Sequence, residues 1–260
     1  MFDRKDRTLK GKKGLVIGIA NHNSIAYGCA RAFKFLEADD LAITYLNEKA
    51  KPYVQPLAEE MGASIVMPLD VNVEGQMEAV FEEIARRWGK LDFALHSIAF
   101  APKDDLHGRV VDCSKDGFLS AMEVSCYSFI RMAHLAEPLM KDGGALFTMS
   151  FYGADRVIEN YNLMGPVKAA LESAARYMAW ELGRKGIRVH PISPGPLETR
   201  AASGLKDFDD MLDEAAEDAP SGRLIGIDDV GIACASLACD SAKLITGQTI
   251  YIDGGLHIMG

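Results

Sequence analysis

Short apolar runs rich in β-branched residues alternate with longer amphipathic segments along nearly the whole chain, and this alternation is the strongest constraint on the fold. The candidate strands are residues 15–20, 41–46, 64–70, 93–99, 145–151, 189–194 and 249–255. The candidate helices are residues 24–38, 50–61, 74–88, 115–140, 162–184 and 228–240. The short runs are mostly apolar throughout, as expected of strands that helices cover on both faces. The pattern therefore predicts an α/β fold, a doubly wound, seven-stranded parallel sheet with helices on both faces.

Composition limits the class of protein further. A chain of 260 residues that is 48% hydrophobic and 25% charged suits one domain spanning 1–260 better than two small ones. No apolar run approaches the roughly 18 residues that span a bilayer, and no secretory signal opens the sequence, so we expect a cytoplasmic protein with no membrane partner. The net charge of -9 argues against nucleic acid. The five scattered cysteines and six histidines show no metal-ligand spacing, so we expect reduced thiols and no metal site.

The loop after the first candidate strand, GIANHNSIAYG from Gly18 to Gly28, is the first ligand signal. A glycine ends the strand, and a polar loop leads into a helix that begins near Ser24. A tight turn there would expose helix-start N–H groups that favour a phosphate. The loop lacks the GxGxxG pattern, so an ordinary strand–helix turn with a serine cap is an equal alternative.

Two further segments follow strands. Asp70 closes the run SIVMPLD, where a turn residue or helix cap is the simpler interpretation of an aspartate. The segment HSIAFAP at 96–102 carries small residues that would let a flat ring approach the backbone. Both segments lie at the strand ends where parallel sheets bind ligands.

The segment YNLMGPVK places Tyr161 and Lys168 seven positions apart. If the segment is helical, seven residues are nearly two turns and both side chains face the same way. A nearby ammonium would lower the proton affinity of the phenol, which suits a tyrosine that donates to an oxygen gaining negative charge. An ordinary amphipathic helix is the alternative, but the position after the fifth strand favours a functional site.

With these motifs in view, the chain resembles the short-chain dehydrogenase/reductases, and most closely the bacterial NADH-dependent enoyl-[acyl-carrier-protein] reductases of type I. The resemblance runs from about Leu9 to the C-terminus. The shared motifs are G-x5-SIAYG from Gly18, DV at Asp70, HSIAFAP, YN-x-MG-x-x-K from Tyr161, GP-x-x-T-x-AASG from Gly195 and ITGQTIYIDGG. The wider superfamily spaces its pair as YxxxK, and the longer gap here is a specific mark of the enoyl reductases. The resemblance implies a single Rossmann-like domain and a homotetramer.

The resemblance also implies a role for individual residues. Tyr161 would face the thioester carbonyl of the substrate, and Lys168 would hydrogen-bond the nicotinamide ribose. The rest of the cofactor would contact Gly18, Ser24, Ile25, Leu46, Asp70, Val71, Ser97, Ile98, Ala99, Leu197 and Thr199. The acyl pocket would be formed by Phe100, Ala101, Met164, Ala202 and Phe208, for which core packing is the alternative.

The implied reaction belongs to fatty acid biosynthesis. A hydride would add to the β-carbon of a trans-2-enoyl thioester, and Tyr161 would stabilise the enolate oxygen by hydrogen bonding. One alternative is a short-chain reductase that acts on another enoyl or carbonyl substrate. A less favoured alternative is a homologue that binds cofactor without catalysis.

The end of the second strand, LNEK, bears on the choice of cofactor. A 2′-phosphate normally requires an arginine or lysine near this position. Leu46, Asn47 and Glu48 offer none, and Glu48 would repel the phosphate, whereas Lys49 and Lys51 lie further along. We therefore expect NADH, with NADPH as the alternative.

Two residues near the pair depart from the family pattern. Phe151 stands ten positions before Tyr161, where relatives often carry a second tyrosine, and it cannot donate a hydrogen bond. Pro166 lies between Tyr161 and Lys168, and a proline inside a helix costs roughly 3 kcal/mol. Either the regular helix starts near Gly165 and leaves Tyr161 on an irregular lead-in, or the helix is kinked.

A third departure concerns the partner. Residues 205–218 hold seven acidic residues and one lysine, where relatives usually carry basic residues that meet an acidic carrier protein. Like charges weaken such an interface, and Glu198 adds to the negative charge. An acyl carrier protein, a coenzyme A thioester, and carrier docking through Arg200 or Arg223 all remain open. Residues 198–218 are expected to act as a substrate lid.

Overall fold

The computed structural model describes residues 4–199 and 208–259, and its centre is one parallel sheet. The strands within this part run in the order β3-β2-β1-β4-β5-β6-β7, and every neighbouring pair is parallel. They are β1 Lys13–Ile17, β2 Asp40–Tyr45, β3 Ile65–Pro68, β4 Phe93–His96, β5 Gly144–Met149, β6 Ile187–Pro194 and β7 Ile250–Ile252. The prediction of a seven-stranded parallel sheet is confirmed.

The described helices are α1 Ile25–Phe35, α2 Lys51–Glu60, α3 Gln76–Trp88, α4 Lys103–His107, α5 Lys115–Met122, α6 Ser128–Ala136, α7 Met164–Leu182, α8 Phe208–Asp218 and α9 Ile227–Ala238. Each of the six helical segments expected from the sequence is present with shifted ends. The segment expected at 115–140 is not one helix, because a π-helical turn at Glu123–Tyr127 separates α5 from α6. The helices α4 and α8 lie outside the six expected segments.

Two apolar clusters cover the two faces of the sheet. On one face Phe33, Phe93 and Phe147 pack together, with α1, α2 and α9 above them. On the other face α3, α6 and α7 contribute residues such as Phe129 and Leu171. Because both faces are buried, the strands are apolar throughout, which explains the pattern in the sequence.

Two glycines allow α1 and α9 to pack with their backbones in contact. A Cβ atom at Gly28 would lie 2.4 Å from the carbonyl oxygen of Ile227, and one at Gly231 would lie 2.3 Å from the carbonyl oxygen of Gly28. No side chain fits either gap. This contact fixes the position of α1, whose first turn follows the carboxyl end of β1.

Candidate functional site

A cavity of about 370 Å³ opens at the carboxyl ends of β4, β5 and β6, next to the point where the strand order reverses between β1 and β4. Many of the residues singled out in the sequence line it together. They are Ile25, Ser97, Ile98, Ala99, Phe100, Ala101, Tyr161, Met164, Lys168, Leu197 and Thr199. Residues that the sequence analysis did not assign to a site complete the lining: Leu106, Met149, Ser150, Phe151, Pro194, Gly195 and Pro196.

Tyr161 lies on an irregular lead-in to α7. Its neighbours Asn160 and Asn162 have positive φ values of 62° and 41°, a left-handed conformation that asparagine tolerates better than most residues. Because α7 begins at Met164, Pro166 lies in the first helical turn, where its missing N–H removes no helical bond. The first of the two alternatives for Pro166 is confirmed. The argument that Tyr161 and Lys168 share a helix face is wrong, although both side chains line the cavity.

The surroundings of the Tyr161 ring keep its hydroxyl protonated. The residue is 8% exposed, and its ring packs 4.7 Å from that of Phe151, measured between centroids. Burial and the nearby negative charge of Glu172 raise the pKa of Tyr161 well above its ordinary value. The expectation that Lys168 lowers this pKa is therefore wrong, and Tyr161 is a hydrogen-bond donor at neutral pH.

Lys168 is a buried cation at the floor of the cavity. It is 4% exposed, and its Nζ donates a 2.7 Å hydrogen bond to the carbonyl oxygen of Met149, the last residue of β5. Burial lowers the pKa of Lys168 to about 8, and the neighbouring Cys126 and Glu172 oppose that shift. The side chain is thus poised between charged and neutral near physiological pH.

The loop after β4 is held by a serine of the π-helical turn. Ser125 is fully buried, and its Oγ accepts a 3.0 Å hydrogen bond from the amide of Phe100 and donates a 3.1 Å bond to the carbonyl oxygen of Phe100. The extra residue of a π-turn re-aims side chains locally, which is why such turns often occur at functional sites. Ser125 could not be identified from the sequence, because a π-turn has no simple periodic signature.

The end of β4 is anchored by a buried polar contact. The Oγ of Ser128 donates to the carbonyl oxygen of Val124, so the 2.7 Å contact with His96 is a bond donated by Nε2 of the ring. Burial and the charge of Lys168 lower the pKa of His96 to about 3. His96 is therefore neutral and fixes the strand end from which the cavity loop departs.

The loop after β1 brings two predicted cofactor residues to the edge of the cavity. Gly18 has φ 109°, and a Cβ atom there would lie 2.1 Å from the carbonyl oxygen of Ser97. Ser24 precedes α1, and its Oγ accepts hydrogen bonds from the amides of Ala20 and Asn21. The alternative of a serine cap is wrong, since this hydroxyl closes the loop. Gly18 and Ser24 do not line the cavity themselves, but Gly18 packs against Ser97 and Ser24 directly precedes Ile25, and Ser97 and Ile25 both line it.

The remaining predicted residues lie apart from the cavity. Leu46 is exposed after β2, and Asp70 and Val71 follow β3, at the same edge of the sheet. Asp70 Oδ1 accepts hydrogen bonds from the backbone and side-chain amides of Asn72, so the turn interpretation of Asp70 is confirmed. Ala202 lies outside the described residues, as does the side chain of Phe208.

The end of β2 carries a charged cluster that bears on the cofactor. The Tyr45 hydroxyl donates a 3.1 Å hydrogen bond to Glu48, and Lys51 Nζ lies 3.5 Å from the same carboxylate. The Lys51 ammonium also lies 5.5 Å from the centre of the Tyr45 ring. Of the two lysines that follow this strand end, Lys51 is thus engaged by Glu48.

The described part of the chain, residues 4–199 and 208–259, contains neither a metal-ligand cluster nor a membrane-spanning helix. No group of three or more His, Cys, Asp or Glu residues in that part is arranged to hold a metal ion. Nor does any helix there combine the length and apolar character that crossing a membrane requires.

The sheet order and the cavity together define a dinucleotide-binding fold of the Rossmann type. The chain belongs to the enoyl-(acyl carrier protein) reductase family, whose family model matches residues 18–257. It is 45% identical over 251 residues to "Enoyl-[acyl-carrier-protein] reductase [NADH] FabI" of Haemophilus influenzae, covering 96% of this chain and 95% of the relative. It is 42% identical to "Enoyl-[acyl-carrier-protein] reductase [NADH] 1" of Rhizobium meliloti, covering 97% of this chain and 92% of that protein.

Solved structures agree with this assignment. The enoyl reductase of Anaplasma phagocytophilum in complex with NAD superposes with a TM-score of 0.92 at 44% identity, covering 97% of this chain and 96% of that one. The Bacillus cereus enoyl-acyl carrier protein reductase, solved with NADP+ and an indole naphthyridinone, gives a TM-score of 0.95 at 41% identity, covering 98% and 99%.

Proposed function

We propose that this chain is an enoyl-[acyl-carrier-protein] reductase of fatty acid biosynthesis, which uses NADH to reduce the double bond of a trans-2-enoyl thioester. One structural observation supports this above the others. A protonated tyrosine and a buried lysine line the same cavity at the carboxyl ends of a Rossmann sheet. This arrangement suits a substrate oxygen that gains negative charge beside a bound dinucleotide.

The residues present fit a dinucleotide. Gly18 packs against the carbonyl oxygen of Ser97 with no room for a side chain, which holds the β1 loop beside the cavity. The backbone at the start of α1 would meet a pyrophosphate group there. From there, Leu46, Asp70 and Val71 would contact the adenine end of the cofactor, with Ile98 near the adenosine or ribose edge. Leu197 and Thr199 would contact the nicotinamide end. Lys168 Nζ would donate to the nicotinamide ribose hydroxyls. When bound, the reduced cofactor supplies the hydride.

In this reaction the side chains of the protein would stabilise the carbonyl oxygen of the thioester. Tyr161 would donate a hydrogen bond to that oxygen as it becomes an enolate, and the charge of Lys168 would add electrostatic stabilisation. The raised pKa of Tyr161 suits this role, because the hydroxyl stays a donor through the reaction. Phe100, Ala101 and Met164 would hold the acyl chain, together with Ala202 and Phe208.

The engagement of Lys51 by Glu48 supports NADH as the cofactor. A 2′-phosphate at the end of β2 would be repelled by the Glu48 carboxylate, and Lys51 is already paired with that carboxylate. The most direct experiment follows the oxidation of NADH and NADPH by the pure protein. NADPH would be the physiological cofactor if its Michaelis constant were much the lower of the two.

The catalytic assignment is tested by Tyr161→Phe. The variant retains the ring and its contact with Phe151 but loses the donor, so we expect turnover to fall about tenfold or more while the melting temperature changes little. Crotonyl thioesters and simple ketones should be compared in the same assay. Wild-type turnover in the phenylalanine variant would contradict the role, and faster reduction of ketones would favour a different short-chain reductase.

The carrier attached to the substrate is a separate question. Helix α8 exposes an acidic surface that includes Asp213, Glu214 and Glu217, and Glu198 is exposed nearby in sequence. We propose that an acyl carrier protein docks through Arg223 or Arg200 and away from α8; Arg200 lies outside the described residues. Kinetics with carrier-linked and coenzyme-A-linked crotonyl substrates would separate the two, since a carrier preference should weaken in Arg223→Glu.

We further propose one domain over 1–260, a substrate lid at 198–218 of which 200–207 lie outside the described residues, and a homotetramer. Support for assembly comes from aromatic residues left on the outer face of α7, where Tyr177 is 70% and Trp180 80% exposed. All five cysteines are free thiols, which supports a reducing compartment and hence a cytoplasmic location.

A further inference from the structure

Glu172 is a buried charged residue that the roles above do not include. It lies on α7, one turn after Lys168, and is 8% exposed. A carboxylate in such a place is costly unless a partner stabilises it. Here the Oγ of Ser150 donates a 2.5 Å hydrogen bond to Glu172 Oε1, and Ser150 is itself 5% exposed. The hydrogen bond between these two buried side chains therefore fixes the position of the Glu172 carboxylate.

The contact lies directly beside the one that holds Lys168. Ser150 follows Met149, whose carbonyl oxygen accepts the hydrogen bond from Lys168 Nζ. Two consecutive residues at the end of β5 are thus tied to two residues of α7 that stand four positions apart. Side chains at that spacing are neighbours on one helix face, with Cβ atoms about 5–6 Å apart. The Glu172 carboxylate is consequently a fixed negative charge next to the buried ammonium.

The charge of Glu172 reaches several groups of the site. The groups that face Lys168 are Cys126 from the π-helical turn, His96 from β4, and Glu172 on the same helix. Two tyrosines also face Glu172: Tyr161 on the lead-in to α7 and Tyr251 on β7. The charge of Glu172 raises the pKa of both. For Tyr251, burial is the larger cause.

We propose that Glu172, held in place by Ser150, is a positioning residue whose charge keeps Lys168 an ammonium directed at the end of β5. The inference deepens the proposed function, since it concerns the lysine assigned to the cofactor ribose and to the field around Tyr161. Glu172 acts through Lys168 and does not touch the reacting atoms.

Among the buried titratable groups around Glu172 and Lys168, Lys168 is the one whose pKa lies near pH 8. Burial lowers the pKa of Lys168 to about 8, and Cys126 and Glu172 oppose the shift. Burial raises the pKa of Tyr161 and of Cys126, and burial lowers that of His96 to about 3, so these three do not titrate near pH 8. Removing the charge of Glu172 lowers the pKa of Lys168, so the ammonium is lost at a lower pH.

The test variant is Glu172→Gln, which keeps the shape and the ability to accept from Ser150 but removes the charge. At pH 6 Lys168 is charged in both proteins, so we expect turnover within about twofold of wild type. At pH 8 a one-unit fall in the pKa of Lys168 would reduce turnover, and raise the dissociation constant for NADH, about fivefold. The pKa of Lys168 is also read without substrate, by NMR titration of its Cε resonance.

Two further variants test whether the effect depends on a negative charge at position 172. Glu181→Gln makes the same change at an exposed position of α7, some 13 residues or about 20 Å from Lys168, and should match wild type at every pH. Glu172→Asp restores the charge on a shorter stem and should recover part of the alkaline activity and the Lys168 pKa.

The outcomes separate this inference from the proposed function. A Glu172→Gln profile that superimposes on wild type overturns the inference. So does a loss of activity that is equal at pH 6 and pH 8, because it indicates a packing role. A wild-type protein that binds NADH but reduces no enoyl thioester overturns the proposed function, and the NMR titration then still decides whether Glu172 sets the charge of Lys168.

Discussion

At the scale of single residues, the buried lysine shows a conflict between stability and function. Burial depresses the pKa of Lys168 from 10.5 to about 8, so the folded protein favours the neutral amine more than the unfolded chain does. That difference corresponds to about 3 kcal/mol of lost stability below pH 8, recovered as the pH rises from about 8 toward 10.5. Retaining such a residue makes sense where a ligand needs its charge.

The variant Lys168→Met tests this conflict. Methionine fills the buried space without a charge, so the difference in unfolding free energy between wild type and variant should shift by up to about 3 kcal/mol, in favour of wild type, from pH 7 to pH 10.5. Urea denaturation at the two pH values measures it. The dissociation constant for NADH should rise about tenfold or more at pH 7, since the ribose loses its charged donor. Unchanged NADH binding would refute the assigned contact.

Individual residues also show how far the candidate site could be predicted from the sequence. The spacing of Tyr161 and Lys168 pointed to two residues that both line the cavity, but helical periodicity gave the wrong reason. Pro166 indicated that the helix begins late, and two asparagines with positive φ then bring Tyr161 to the cavity. The Ser150–Glu172 contact joins residues 22 positions apart. Local pattern carries no information about such a contact, because tertiary packing creates it.

At the scale of elements, the strands of the sheet could be predicted from the sequence, but the segments that connect them were predicted less accurately. The strands were recognisable because both faces are buried, which makes their sequences apolar throughout. The π-turn at Glu123–Tyr127 was invisible in a helical pattern, yet it aims Ser125 at the loop after β4. Short α4 was missed because its sequence, KDDLH, is polar and too short for a periodic signal. These errors fall on elements beside the cavity, since Ser125 holds Phe100 and α4 carries Leu106, and Phe100 and Leu106 both line it.

The end of β2 allows a prediction on cofactor choice. In Glu48→Gln the carboxylate charge is lost and Lys51 is released, so a 2′-phosphate meets less repulsion and a freer cation. We expect the Michaelis constant for NADPH to fall about threefold while that for NADH stays nearly constant, a size typical of exposed charge effects. Glu59→Gln, further along the exposed face of α2, is the control. An equal change for both cofactors would exclude a specific effect on the phosphate.

At the scale of the whole molecule, exposed apolar side chains on the helices bear on how copies of the chain associate. On the face that carries α3, α6 and α7, large apolar side chains point outward, among them Tyr127, Ile130, Tyr177 and Trp180. Tyr177 and Trp180 stand three positions apart and so form one stripe along α7. Large exposed aromatic residues that adjoin on one helix face are typical of interaction sites, and in the proposed homotetramer a second copy of the chain would cover this stripe.

Trp180→Glu tests whether this stripe joins subunits. An unpaired carboxylate buried between two copies of α7 would oppose association, so light scattering after gel filtration should show the mass shifting from about four chains toward two or one. Phe35→Glu is the matched control, because Phe35 is also highly exposed but ends α1 on the opposite face of the sheet. That variant should keep the wild-type mass. If Trp180→Glu also keeps it, the stripe on α7 is not a subunit interface; if NADH oxidation falls as the mass falls, assembly supports the cavity through α7, the helix that carries Lys168 and Glu172.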